Sequence, residues 1–163
     1  METTMVTRRR EMSWVVFLLF CLLLAGCGGG GGDSDDETPV AADWTYMVYM
    51  GADNNLSTAG LFDLNEMEAA GSDGKVNIVL QAEFSKFYTD FAAIGHDGYK
   101  GETLRFLVKS DGNPDNVNLA AGKAIGNVDM GSPGALSGFI KWAAATYPAK
   151  HYALTIWDHG AGW

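Results

Sequence analysis

Residues 151–157, HYALTIW, constrain the fold of this chain more than any other stretch. A strand on an antiparallel sheet with one wet face alternates apolar with polar residues. A run that is apolar on both sides suits the middle of a parallel sheet covered by helices on both faces. WTYMVYM at 44–50 has the same character and stops at Gly51, and VNIVLQAEF at 76–84 is a further strand. Between these two lies ADNNLSTAGLFDLNEMEAAG, with Asn54 or Asn55 placed to cap a helix, Leu61, Leu64 and Met67 on one helical face, and Gly71 as a stop. Strand, helix and strand with short joints predict a right-handed crossover between parallel strands.

The rest of the chain extends the pattern. Residues 87–110 carry short apolar pieces around the turn-rich GHDGYKG and predict a β-hairpin, and residues 111–131 read as loop. Ser132 is then an N-cap with Pro133 at the first helical position. Leu136, Phe139, Ile140 and Ala143 form an apolar stripe, and Pro148 ends the helix before the strand at 151–157. The expected fold class is α/β: a three-layer α/β/α sandwich on a mostly parallel sheet with a hairpin insertion.

The first 43 residues do not belong to that domain. Arg8, Arg9 and Arg10 precede an apolar core, Trp14 to Leu24, which is short for a membrane span and reads as a signal peptide over residues 1–26. Leu24, Ala25, Gly26 and Cys27 resemble a bacterial lipobox, which marks Cys27 for lipidation; the alternative is that Cys21 and Cys27 are small apolar residues of a signal core or anchor. Lipid on Cys27 would hold the protein at the bacterial cell envelope, and Gly28 after it leans towards the outer membrane or cell surface rather than the inner membrane. Residues 27–43, rich in glycine and acid, predict a flexible tether.

Charge narrows the partners. Removing residues 1–26 takes away three arginines and two glutamates, so the formal charge moves from −9 to −10. Such an acidic chain does not suit nucleic acid, and any membrane attachment would come from acyl chains. Cys21 and Cys27 are the two cysteines of the 163 residues, so on this reading the mature chain has no free thiol for a disulfide, a metal or a nucleophile.

Sites in parallel α/β sheets gather beyond the carboxyl ends of the strands. Three such ends occur, MGADNN, QAEF and WDHGAGW, and only the last holds a histidine. His159 there suits a general base, a metal ligand or a plain turn residue. The Gly160 N–H suits an oxyanion donor, and Asp158 either orients the ring or shapes the turn. Asp53 and Asn54 lie where a site could form, although capping accounts for them too. His96 reads as a solvated hairpin residue and His151 as a strand boundary. No metal-ligand spacing, phosphate-binding glycine loop or serine elbow is found.

The segments WTYMVYMGADNNLS, DLNEME, VNIVLQAEF and MGSPGALSGFIKWAAATYPAKHYALTIWDHGAGW resemble, in this order, the N-terminal part of the clostripain family of cysteine peptidases, over Trp44 to Trp163. The resemblance implies a caspase-like fold and a Cys–His dyad that hydrolyses peptide bonds in protein or peptide substrates, with preference for a basic P1 residue. His159 matches the family histidine, the Gly160 region its oxyanion donors, and the resemblance leaves room for calcium. The nucleophilic cysteine belongs to the next strand, beyond Trp163. The expectation is therefore that these residues carry the histidine half of the domain and are inactive alone, with 151–157 as an exposed sheet edge. The rival reading is a non-catalytic surface lipoprotein that uses the same scaffold to bind a ligand or peptide.

Overall fold

The computed structural model describes residues 41–160. The signal peptide, Cys27 and the tether up to residue 40 lie outside the described residues. Strand β1 runs Ala42–Ala52, starting two residues ahead of Trp44. It is followed by helix α1 (Ser57–Ala70), β2 (Val76–Phe84), β3 (Leu104–Leu107), a 3-10 turn (Leu119–Ala121), β4 (Lys123–Ala124), helix α2 (Pro133–Thr146) and β5 (Ala149–Trp157). The sheet order is β4-β3-β2-β1-β5.

Strand β1, between β2 and β5, is parallel to both neighbours, with Tyr49 opposite Gln81 on one side and Ile156 on the other. Its alternate residues serve two cores, which makes the molecule three-layered. Val48, Met50 and Ala52 pack with Leu61 and Leu64 of α1 and with Leu80, Ala82 and Phe84 of β2. Met47 and Tyr49 point the other way, into a smaller cluster with Val79 and with Phe139 and Ala143 of α2. Gly60 allows α1 to approach closely, because a Cβ there would sit 3.0 Å from the Met50 sulfur and 3.2 Å from the Ala52 Cβ.

Local chemistry sets the start of α2 and the end of α1. Ser132 caps α2 as expected, its Oγ accepting from the Ala135 N–H at 3.2 Å. Gly71 ends α1 with φ +66°, a conformation open to glycine, and its N–H returns to the Met67 carbonyl at 2.8 Å. The start of α1 differs from expectation. Its N-cap position is Leu56, which offers no capping side chain, so neither Asn54 nor Asn55 is the cap.

The hairpin predicted around GHDGYKG does not form. Residues 85–103 are turns and irregular backbone, and the antiparallel pairing lies instead between β2 and β3 and between β3 and β4. The reason is tertiary. Tyr99, in the middle of the expected hairpin, folds back onto Phe91 and Phe84, with ring centroids 4.5 and 6.2 Å away. Its hydroxyl accepts from the Phe84 N–H at 2.9 Å and lies within donating distance of the carbonyls of Phe84 and Glu102. Burial pushes the phenol up to about 12 from an ordinary 10.0. Folding thus favours the neutral phenol, so its contribution to stability is intact below pH 10.0 and is lost as pH rises towards about 12. Tyr99→Phe leaves the Phe84 N–H without its acceptor and should cost about 1–3 kcal/mol at neutral pH. The same variant should lose less stability at alkaline pH than the wild type, with the share due to Tyr49 and Tyr147, whose phenols burial also raises, remaining; urea denaturation at pH 7 and across the alkaline range checks both.

Strand β5 is the sheet edge among the described residues, and it is not buried on both faces. Tyr152, Leu154 and Ile156 are 45%, 42% and 64% exposed, because α2 lies over β1 and β2 and not over β5. On its other face, Trp157 joins the α1 core and donates its indole N–H to Asp63 at 2.6 Å.

Candidate functional site

The parallel register of β1 and β5 brings their carboxyl ends side by side, with Met50 opposite Trp157. Beyond that pair both chains turn, and their polar residues meet. Asp158 Oδ1 accepts the backbone N–H of His159 at 2.6 Å and the side-chain amide of Asn54 at 2.8 Å. Asn54 also donates to the Gly51 carbonyl at 3.0 Å and accepts from the Leu56 N–H at 2.8 Å. It ties the β1–α1 turn to the β5 turn. The Asp158 carboxylate lies over Gly51, where a Cβ would only touch Oδ2, at 3.4 Å. Asp158 therefore holds the backbone of the turn, and its carboxylate bonds to the main chain of His159 and not to the ring.

The ring of His159 has a different partner. Its Nε2 lies 2.8 Å from Oδ1 of Asn55. Sequence reasoning weighed Asn55 only as a helix cap; the signal that would have singled it out is its place one residue past the Asp53–Asn54 pair at the end of β1. His159 and Gly160 are both exposed. A Cβ at Gly160 would meet nothing within 4 Å, so no described part of the chain requires a glycine there. The space above it is open to a ligand.

Asp53, the remaining predicted residue, is exposed on the same rim, towards Glu83 at the end of β2. Partial burial, followed by the negative charge of Asp53, raises the Glu83 carboxyl above the usual glutamate value. His159, Asp158 and Asn54 are thus brought together by hydrogen bonds, with Asn55 added. Asp53 belongs to a separate acidic pair. Among the described residues no three His, Cys, Asp or Glu side chains converge on a point where a metal could sit.

The other two histidines lie elsewhere. His151 pairs with Trp44 inside the β5–β1 ladder and packs on its indole at 4.8 Å between centroids. His96 was expected to be solvated, but its Nε2 is shielded from water without a hydrogen-bond partner, in the loop that Tyr99 pulls onto the core.

The sequence model of the Clostripain family matches residues 48–163, which takes in both strand ends and the whole turn. The chain belongs to the clostripain family. Clostripain of Hathewaya histolytica is 30% identical over 125 residues, covering 72% of this chain. This chain spans 23% of the length of that clostripain. A clostripain from Bacteroides thetaiotaomicron ATCC 29148, crystallised with the peptide inhibitor BTN-VLTK-AOMK, aligns with TM-score 0.50 at 15% identity, covering 76% of this chain and 96% of the other. A B. fragilis cysteine protease aligns with TM-score 0.43 at 20% identity, over 74% of this chain and 92% of that one. The five-stranded, mostly parallel sheet between two helical layers is the caspase-like fold of clostripain-type peptidases.

Proposed function

We propose that this chain is the histidine-bearing part of a clostripain-type cysteine endopeptidase, tethered to the cell envelope by lipid on Cys27. The observation that carries the reading is the exposed imidazole of His159, held by Asn55 at the carboxyl end of β5 in a chain that the family match covers through this turn. A thiolate would attack the scissile carbonyl, and the tetrahedral oxyanion would be held by backbone N–H groups near Gly160. His159 would take the thiol proton and return it to the leaving amine. The cysteines of these residues are Cys21 and Cys27, both upstream of the domain, so the attacking thiol is proposed to come from sequence outside these 163 residues.

A basic P1 side chain fits this reading. The Asp53–Glu83 pair lies at the carboxyl ends of β1 and β2, next to the β5 turn, in a chain of formal charge −9, and such acidity favours an approaching cation. The inhibitor bound by the B. thetaiotaomicron clostripain has the peptide VLTK, which ends in lysine.

The test is hydrolysis of short peptides ending in Arg or Lys before a reporter amine. The thiol-bearing gene product should cleave these and spare Ala or Glu at the same position, whereas the 163 residues alone should be inert. In cells, Cys27→Ala should move the protein from the membrane to the soluble fraction. Turnover by the 163 residues alone, or cleavage with no basic preference, would contradict the proposal.

A further inference from the structure

We infer that Asn55 is a positioning residue for His159. Its side-chain oxygen holds the imidazole as the tautomer with the proton on Nε2, which leaves Nδ1 as the basic nitrogen facing the open side of the turn. The inference deepens the peptidase reading and rests on it for the identity of the group that Nδ1 serves.

The chemistry of the contact assigns the proton. An amide oxygen only accepts, so at 2.8 Å the neutral ring must donate through Nε2. The contact survives when the ring becomes imidazolium, because Nε2 keeps its hydrogen in both states. The proton that comes and goes during acid–base work then belongs to Nδ1.

The surroundings explain why the ring needs such a partner. His159 is exposed, and the Asp158 carboxylate restrains its backbone N–H while leaving the side-chain torsions free. Asn55 reaches it from another element, 104 residues earlier, and the turn that carries it is anchored on both sides. Asn54 on one side bonds to Gly51, Leu56 and Asp158. On the other, Ser57 is fully buried and its hydroxyl accepts from the Ser85 N–H at 3.0 Å and the Thr89 hydroxyl at 2.9 Å. A purely structural role is the competing account, and the natural one would be capping of α1. The cap position is Leu56, with no side-chain cap bond, so the start of the helix does not depend on the Asn55 side chain.

The test reads the two ring nitrogens of His159 directly, by nitrogen-15 NMR of the full chain above the ring's titration. The wild type should show Nε2 protonated and Nδ1 bare, beyond the tautomer mixture of free imidazole. Asn55→Ala should return both signals to free-imidazole values. Asn55→Asp, of nearly the same shape, should keep the wild-type pattern and raise the pKa of the ring through its charge; this variant decides the matter if the alanine chain does not fold. In the thiol-bearing protein, Asn55→Ala should lower kcat by about 10–100-fold, the usual scale for a group that orients a functional histidine, with KM little changed. A wild-type ring that averages like free imidazole, or a pattern unmoved by Asn55→Ala, would overturn the inference. Expected nitrogen signals together with no peptide turnover by the thiol-bearing protein would sink the peptidase reading and leave the Asn55–His159 pairing standing.

Discussion

Replacing His159 by alanine should lower kcat of the thiol-bearing protein by about 10²–10⁴-fold, the usual range for loss of a positioned acid–base group. The loss should fall on kcat rather than KM, because the ring acts on protons in flight. Its effect on stability should be small. His159 is exposed, and the variant forfeits one exposed hydrogen bond, to Asn55, while the Asp158 bond to its backbone N–H remains available. Steady-state kinetics on a Lys or Arg peptide, with a urea titration alongside, separates the two effects. An unchanged kcat would remove His159 from the chemistry.

Phe139→Ala should be the most destabilising of the substitutions considered, at about 3–5 kcal/mol. Phe139 is 0% exposed and forms the centre of the layer between α2 and the sheet. Its ring lies 5.7 Å from that of Tyr49 and 6.0 Å from that of Trp142, and its cluster has only four other buried members: Met47, Tyr49, Val79 and Ala143. Partly buried Leu136, Ile140, Trp142 and Tyr147 pack around this cluster, and the cost is set by removal of a whole phenyl ring from a fully buried site. Phe62 makes the control. It is 67% exposed on α1, and its replacement by alanine should stay within about 0.5 kcal/mol. Chemical denaturation of both variants checks the contrast.

Where local chemistry decides an element, its bounds could be read from the residues. Ser132 and Pro133 start α2 and Gly71 stops α1 through bonds within a few residues, and β2 covers the predicted 76–84. Where distant contacts decide, reading failed. Tyr99 unmakes a plausible hairpin by packing against Phe84, a contact that no turn propensity encodes. The open face of β5 was expected from its place as a sheet edge and not from its own residues. An apolar run says that a strand is fit to be covered, not that these residues cover it.

The site was half visible. The rule that ligands gather at strand carboxyl ends pointed to His159, and parallel pairing of β1 with β5 made the two turns neighbours. The division of labour between Asn54 and Asn55 was not readable, because adjacent identical side chains differ here only in direction. One binds the Asp158 carboxylate and the other the His159 ring.

The most direct measurement is covalent capture of the thiol with a lysine-ended peptide electrophile, followed by mass spectrometry of the thiol-bearing gene product. A single cysteine downstream of Trp163 should carry the adduct, and His159→Ala should slow its formation sharply. An adduct formed at full rate without the imidazole, or carried by Cys27, would contradict the account.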